Sequence, residues 1–239
     1  MNVPADPRTI AVVPAHNEAV ALPAVLADLS GHRPPLDIVV VDDGSIDETA
    51  AVARQWRVPC VRLPMNLGIG AALRAGFRYA FEMGYDRAIQ FDGDGQHRAD
   101  QIAALVAGLD GGADLVIGNR FGDGSYEIGR GRRWAMAGLR LGVQILCRRR
   151  YVDTTSGFRA VARPLLDVFA TAYPVEYMDS VETLVATCRA GYRVEEVPVL
   201  MDARQGGAPS TGRMGLMYHY ARLVVVLFST RRSIPARPA

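Results

Sequence analysis

Short β-branched runs alternate with longer stretches of helical period, and the runs stop at small polar clusters. Residues 9–14 read Thr-Ile-Ala-Val-Val-Pro and lead into Ala15-His16-Asn17-Glu18. Residues 37–41 lead into Asp42-Asp43-Gly44-Ser45, residues 87–91 into Asp92-Gly93-Asp94-Gly95-Gln96, and residues 115–118 into Asn119-Arg120. A shorter run covers 58–63. Helical spacing fills the intervals at 19–29, 71–83 and 100–109, and Asp47 is placed to cap a further helix reaching Trp56. Strands and helices alternating in this way predict an α/β fold with a mostly parallel sheet and right-handed crossovers. An open sheet of that kind binds its ligands at the carboxyl ends of its strands. The polar clusters therefore collect on one edge.

The second half is less regular. Residues 121–133 are rich in Gly and Arg and read as a loop. Helices are expected at 134–147, 163–172 and 179–190, with a turn at 153–159 between the first two. Residues 192–201 read as an edge strand because Pro198 interrupts them. Residues 205–212 read as a polar loop. An apolar helix is expected at 216–230, and a short basic tail closes the chain. Apolar residues make up 49% of the sequence and charged residues 22%, so a single large core is affordable. A net charge of +2 does not point to nucleic acid. Cys60, Cys147 and Cys188 are far apart and form no CxxC, as expected for reduced core thiols. No apolar leader opens the chain and no run of about 20 apolar residues crosses a membrane, so the expected location is cytoplasmic.

The chemistry concentrates at Asp92-Gly93-Asp94. Two carboxylates two residues apart on a strand's continuation can share one hard cation. Glycines on either side let a bulky ligand approach the backbone. The expected cofactor is Mg²⁺ or Mn²⁺ holding the phosphates of a substrate. Gly68-Ile69-Gly70 resembles the start of a dinucleotide fingerprint, but Leu73 stands where its third glycine is required. No phosphate-binding G-x-x-x-x-G-K-[ST] motif occurs.

Taken in order, the motifs resemble those of family 2 glycosyltransferases. Pro14-Ala15-His16-Asn17-Glu18 is similar to their P-x-x-N-E opening, and Asp42-Asp43-Gly44-Ser45 to their D-D-G-S turn. Asn66 to Ala72 with Gly76 resembles the N-x-G-x-G-x-A…G helix start. Asp92 to Gln96 resembles the D-x-D-x-Q metal motif, and Gly118-Asn119-Arg120 the G-S-R strand end. Asp153 to Arg159 resembles D-x-x-S-G-F-R, Val194 to Pro198 the E-V-P strand, and Arg204 with Gly207 the R-x-x-G that follows. Within the family the pattern is most similar to the polyprenyl-phosphate sugar transferases, including the dolichyl-phosphate mannose synthases.

The resemblance implies a GT-A fold, a Rossmann-like sheet flanked by helices with an acceptor-side C-terminal half. One domain is expected over 1–239. Residues 9–120 would form its nucleotide-sugar half, 121–215 its acceptor half, and 216–239 an apolar and basic end lying on a membrane surface or a small membrane protein. It implies an inverting, metal-dependent transfer from a nucleoside-diphosphate sugar, GDP- or UDP-linked, to a polyprenyl phosphate. Asp92, Asp94 and Gln96 would hold the metal. Pro14, Ala15, His16, Glu18, Asp43, Gly70, Gly93, Arg120 and Arg204 would surround the nucleotide sugar. Arg130, Arg132, Arg133 and Ser156 would meet the acceptor. Were the acceptor a hydroxyl, Asp179 or Glu182 would serve as base; a non-catalytic nucleotide-sugar-binding subunit is the alternative from another class. A second copy of the chain is a further candidate partner. Ser210 stands where relatives often carry a lysine on the diphosphate.

Overall fold

The computed structural model describes residues 6–121, 130–173, 179–202 and 234–238, without the side chains of 130–136 and 179. The elements follow in order as β1 (Thr9–Ala15), α1 (Leu22–Gly31), β2 (Asp37–Asp42), α2 (Thr49–Gln55), β3 (Cys60–Arg62), α3 (Ile69–Glu82) and β4 (Arg87–Gln90). After these come α4 (Ile102–Asp110), β5 (Leu115–Asn119), α5 (Arg130–Cys147), β6 (Arg159–Ala162), α6 (Leu165–Ala172), α7 (Asp179–Arg189) and β7 (Val194–Pro198). A single turn of 3₁₀ helix, Ala99–Gln101, precedes α4.

The strands form one sheet in the order β3-β2-β1-β4-β6-β5-β7. β6 runs antiparallel to both of its neighbours, and every other pairing is parallel. β1, β2 and β5 are buried along almost their whole length because helices cover both faces. Alternate strand residues feed alternate cores. Ile10, Val12, Val39, Val41, Leu115 and Ile117 join apolar side chains of α3, α5, α6 and α7. Ala11, Val13, Ile38, Val40 and Val116 join those of α1, α2 and α4.

Two details fix α3 on the sheet. At Gly76 a Cβ would stand 2.2 Å from Val12 Cγ1, so only glycine lets the helix lie this close. The next residue, Phe77, is fully buried, with the rings of Phe169 and Tyr173 at centroid distances of 5.6 and 5.3 Å. It thereby ties α3 to α6 across a break of ninety residues of sequence.

The elements of the first half fall where the periodicity puts them. The second half requires three corrections. The turn at 153–159 runs directly into β6, a strand that the sequence reading omits. Its four residues include Arg159, and a charged residue masks the apolar period. Arg130, Arg132 and Arg133 were expected in a loop but lie in the first turn of α5. Arginine is a good helix former, and the pattern starting at Trp134 extends backward over them despite Gly131. The tail is not free either. Ile234 is buried in the larger core, the Arg237 amide donates to Ala190 O at 2.8 Å, and the Arg237 guanidinium pairs with buried Asp114 at 2.9 Å. The expected loop at 205–212 and helix at 216–230 lie outside the described residues.

Replacing Phe77 by Ala should cost about 3–5 kcal/mol. Urea unfolding checks this. The midpoint falls while the slope stays that of the parent, because the same surface is exposed on unfolding.

Candidate active site

The carboxyl ends of β1, β2, β4, β5 and β7 and the amino end of β6 share one edge. Backbone contact fastens the clusters there to one another. The Gly93 amide donates to Pro14 O at 3.3 Å, and a Cβ on Gly93 would stand 3.0 Å from that oxygen and 3.3 Å from Ala15 Cβ. The carboxylate loop thus lies against the end of β1. The Asp43 amide donates to Ala15 O at 2.9 Å, which brings the β2 cluster alongside.

The β1 and β2 clusters are built from local caps. His16 donates through Nδ1 to Asp43 O at 2.8 Å, and Asn17 Nδ2 donates to His16 Nε2 at 3.1 Å. That pattern assigns the neutral, Nδ1-protonated ring. Asn17 adopts φ 55°, which lets its amide reach Ser45 Oγ at 2.9 Å while its Oδ1 accepts from Ile46. Glu18 is buried, and its amide donates to Thr49 Oγ1 at 2.9 Å. Asp43 is expected around the nucleotide sugar. Its two oxygens accept from the amides of Leu67 and Gly68, both at 2.8 Å. The carboxylate therefore pins the start of α3, and with it Gly70, to the end of β2. Gly44 makes this approach possible, since at φ +65° a Cβ would lie 2.2 Å from the Met65 carbonyl carbon.

Asp92 and Asp94 occupy the loop after β4. Gln90 Nε2 donates to Asp92 Oδ1 at 3.2 Å, and Asp94 Oδ1 accepts from the Gln96 amide at 3.0 Å. Asp94 is buried, and the Asp92 side chain is about a third open at 30%. His97 closes the loop. Its Nδ1 accepts from the Asp92 amide at 2.9 Å, so its proton sits on Nε2, 3.6 Å from Asp92 Oδ2. Burial pushes His97 down to about 3, so the ring is neutral at any ordinary pH.

The turn before β6 completes the edge. A Cβ on Gly157 would stand 2.8 Å from Asp92 Oδ2, which places this turn directly against the carboxylate loop. Ser156, expected to meet the acceptor, is wholly buried, and its Oγ accepts from the Phe158 amide at 3.3 Å. It shapes the turn from inside. Arg159 is also buried and donates to Ser156 O at 2.8 Å and to Ser180 O at 2.6 Å. It thereby joins the turn to the first turn of α7, where Asp179 and buried Glu182 lie. Arg120, expected around the nucleotide sugar, turns its fork onto buried Asp153. Nε lies 2.6 Å from Oδ2, and Nη2 lies 3.2 Å from Oδ1. Asp153 is held in turn by Glu196 of β7, whose carboxylate accepts from the amides of Val152 and Asp153. Burial pushes the Glu196 carboxyl up. The Asp153–Glu196 buttress was missed in the sequence. Its only signal is a pair of carboxylates 43 residues apart, next to motifs already recognised.

Arg204 lies outside the described residues, as do the side chains of Arg130, Arg132 and Arg133. Among the described residues no group of three or more His, Cys, Asp or Glu side chains forms a cage for a metal. One or two carboxylates beside a backbone open to ligand is still the donor set Mg²⁺ uses when substrate phosphates and water supply the rest. Asp92 and Asp94 fit such a cation. No helix among the described residues is long and apolar enough to cross a membrane.

Comparison with known proteins gives a family, two relatives and a fold. The family model described as Glycosyl transferase family 2 matches residues 10–169. The polyprenol monophosphomannose synthase of Mycolicibacterium smegmatis is 30% identical over 214 residues, covering 84% of this chain and 79% of that protein. The undecaprenyl-phosphate mannosyltransferase of Micrococcus luteus is 32% identical over 213 residues, covering 84% and 86%. Among solved structures, the glucosyl-3-phosphoglycerate synthase of Mycobacterium tuberculosis, crystallised with Mn²⁺, UDP and glucosyl-3-phosphoglycerate, superposes with a TM-score of 0.68. The match covers 97% of this chain and 82% of that one at 22% identity, a likeness of fold.

The contact between Gly157 and Asp92 is open to a direct test. Gly157→Ala should leave the melting temperature nearly unchanged and displace the Asp92 carboxylate. Misplacement on the scale of 1 Å at a reacting centre can cost about a hundredfold in rate. Binding of Mn²⁺ with a nucleoside diphosphate, followed by calorimetry, should weaken in the same variant.

Proposed function

This chain belongs to glycosyl transferase family 2, and we propose that it moves a hexose from a nucleoside-diphosphate sugar to a polyprenyl phosphate, inverting the anomeric centre. Its fold is GT-A. The observation that carries the reading is the meeting of Asp92 and Asp94, the end of β1 and the Ser156-Gly157 turn on one edge of the sheet. The relatives with the acceptor in their names, a polyprenol monophosphomannose synthase and an undecaprenyl-phosphate mannosyltransferase, support the lipid phosphate. The Mn²⁺ and UDP bound in the mycobacterial synthase support a metal-assisted nucleotide site.

The residues divide the work. Pro14, Ala15, His16 and Glu18, with the Asp43-braced start of α3, form the nucleoside side of the edge. Each Asp43 oxygen, having accepted one amide, keeps a lone pair that a ribose hydroxyl can use. A divalent cation held by Asp94, with Asp92 and Gln96 assisting, would neutralise the charge that builds on the departing diphosphate. Gly93 keeps the backbone open beside it. On the opposite side, Arg159 fixes the Ser156-Gly157 turn relative to α7, which sets where the acceptor meets the sugar. An acceptor phosphate is anionic at neutral pH, so its oxygen attacks without a base, and orientation supplies the rate. Arg204 and the arginines of the first turn of α5 are the proposed cationic partners of the two phosphates. A lipid acceptor requires this edge to face a bilayer, so the protein works at a membrane surface.

Two measurements test this. Transfer of radiolabelled sugar to a short polyprenyl phosphate, with GDP- and UDP-sugars screened in Mn²⁺ or Mg²⁺, should yield lipid-linked product. Transfer confined to hydroxyl acceptors would overturn the lipid phosphate and move attention to Asp179 and Glu182. Asp94→Asn should keep the fold and lose turnover together with metal-dependent thermal stabilisation by nucleotide. In the parent, a nucleotide at 100 times its dissociation constant adds about 2.7 kcal/mol.

A further inference from the structure

The loop from Asp92 to His97 is gripped at both ends by one side chain. His97 accepts the Asp92 amide through Nδ1 at 2.9 Å and so closes the loop into a ring. Its imidazole stacks on Phe158, with centroids 4.5 Å apart and planes 16° from parallel, and meets Phe91 edge-on at 5.5 Å. Phe91 continues β4, and Phe158 leads into β6 from the turn whose Gly157 touches Asp92. On its backbone side His97 bridges to Met201, and the neighbouring Gln96 O accepts from the Asp202 amide at 2.9 Å. The exit from β7 is therefore fastened to the same point. The ring of His97 thus joins β4 to the turn before β6 beside the Asp92 carboxylate, and its backbone takes in the chain leaving β7.

We infer that His97 is a positioning residue that sets the Asp92 carboxylate for the cation and fixes the carboxylate loop against the Ser156-Gly157 turn. The inference rests on the metal reading given above and adds a residue that touches neither cation nor sugar. Two features of imidazole are needed at once. The ring plane must lie on Phe158, and an in-plane acceptor must sit one bond from the ring's attachment, where the Asp92 amide points. Phenylalanine supplies the plane alone, and asparagine supplies the acceptor alone, with its Oδ1 near the place of Nδ1. Simple core packing would need only the plane. The two substitutions therefore separate a positioning role from a packing role.

The experiment uses the full chain in three forms: parent, His97→Phe and His97→Asn. Amide exchange is measured first, with no metal or nucleotide present. In His97→Phe, exchange across residues 92–96 should accelerate while the cores keep their protection; in His97→Asn it should stay near the parent. Mn²⁺ titration follows, read by electron paramagnetic resonance with GDP or UDP present. His97→Phe should bind Mn²⁺ at least about tenfold more weakly, the usual range when the partner that orients a metal ligand is removed. His97→Asn should recover most of that loss. In turnover, the loss in His97→Phe should fall on kcat and on the metal requirement, with less effect on KM for the sugar nucleotide. Unchanged exchange over 92–96 in His97→Phe overturns the clasp, whatever the chain's substrate. Faster exchange with parental Mn²⁺ affinity overturns the positioning role. Equal damage in both variants, with melting temperatures lowered alike, makes His97 a packing residue and overturns it as well. Failure of the parent itself to bind Mn²⁺ with either nucleotide would sink the metal reading of the site, and the exchange result would then judge the clasp on its own.

Discussion

β6 runs against the other strands, and the candidate site depends on that reversal. In a wholly parallel sheet only strand ends reach the carboxyl edge. Because β6 enters between β4 and β5 in the opposite sense, its beginning arrives there instead. The turn at 153–158 is thereby delivered beside Asp92, with Gly157 close enough that a methyl group would collide with the carboxylate. The same strand places Arg159 opposite Gln90 and Ile117, in the middle of the sheet, from where its guanidinium reaches the carbonyls of Ser156 and Ser180. The first half of the chain and the turn before β6 thus meet on one edge of the sheet.

Burial of carboxylates on this edge follows a consistent rule. Asp43 accepts two amides, Glu196 accepts two, and Asp153 takes the fork of Arg120. Each of these anions is held by donors built into the fold, which is what makes a charge tolerable away from water. They act as braces: Asp43 for the start of α3, Glu196 and Asp153 for the turn before β6. Losing one partner of such a buried pair commonly costs about 3–5 kcal/mol, because the other charge is stranded. Asp92 and Asp94 are held differently. Asp92 accepts from the side-chain amide of Gln90 on β4 and is partly open to solvent, and Asp94 accepts from the Gln96 amide of its own loop.

Much of this was legible in the sequence, for definite reasons. Buried parallel strands read as continuous apolar runs, so residues 9–14, 37–41 and 115–118 declare themselves and so do the polar clusters that end them. The juxtaposition of Pro14, Asp43 and Asp92 follows from topology alone. What was not legible involves pairings set by tertiary contact. β6 is four residues long and opens on a buried arginine, so neither length nor period marks it. Arg120 ends a motif assigned to the nucleotide sugar, and nothing in the sequence shows that its fork closes on Asp153, 33 residues later in sequence but 2.6 Å away. Ser156 sits in a motif that invites a ligand role, and only its complete burial shows that it shapes the turn. His97 looks like a loop residue because the two phenylalanines that hold it come from strands 67 residues apart.

The tail extends the same logic to the far edge of the sheet. Ile234 enters the core shared by α3, α5, α6 and α7, and Arg237 bonds Ala190 and the buried carboxylate of Asp114, where β5 begins. The chain leaves β7 at the opposite edge, where Met201 and Asp202 pair with the carboxylate loop. Residues 201–202 and 234–237 are therefore fixed at opposite ends of the sheet's strands, the first pair at the carboxylate loop and the others where β5 begins.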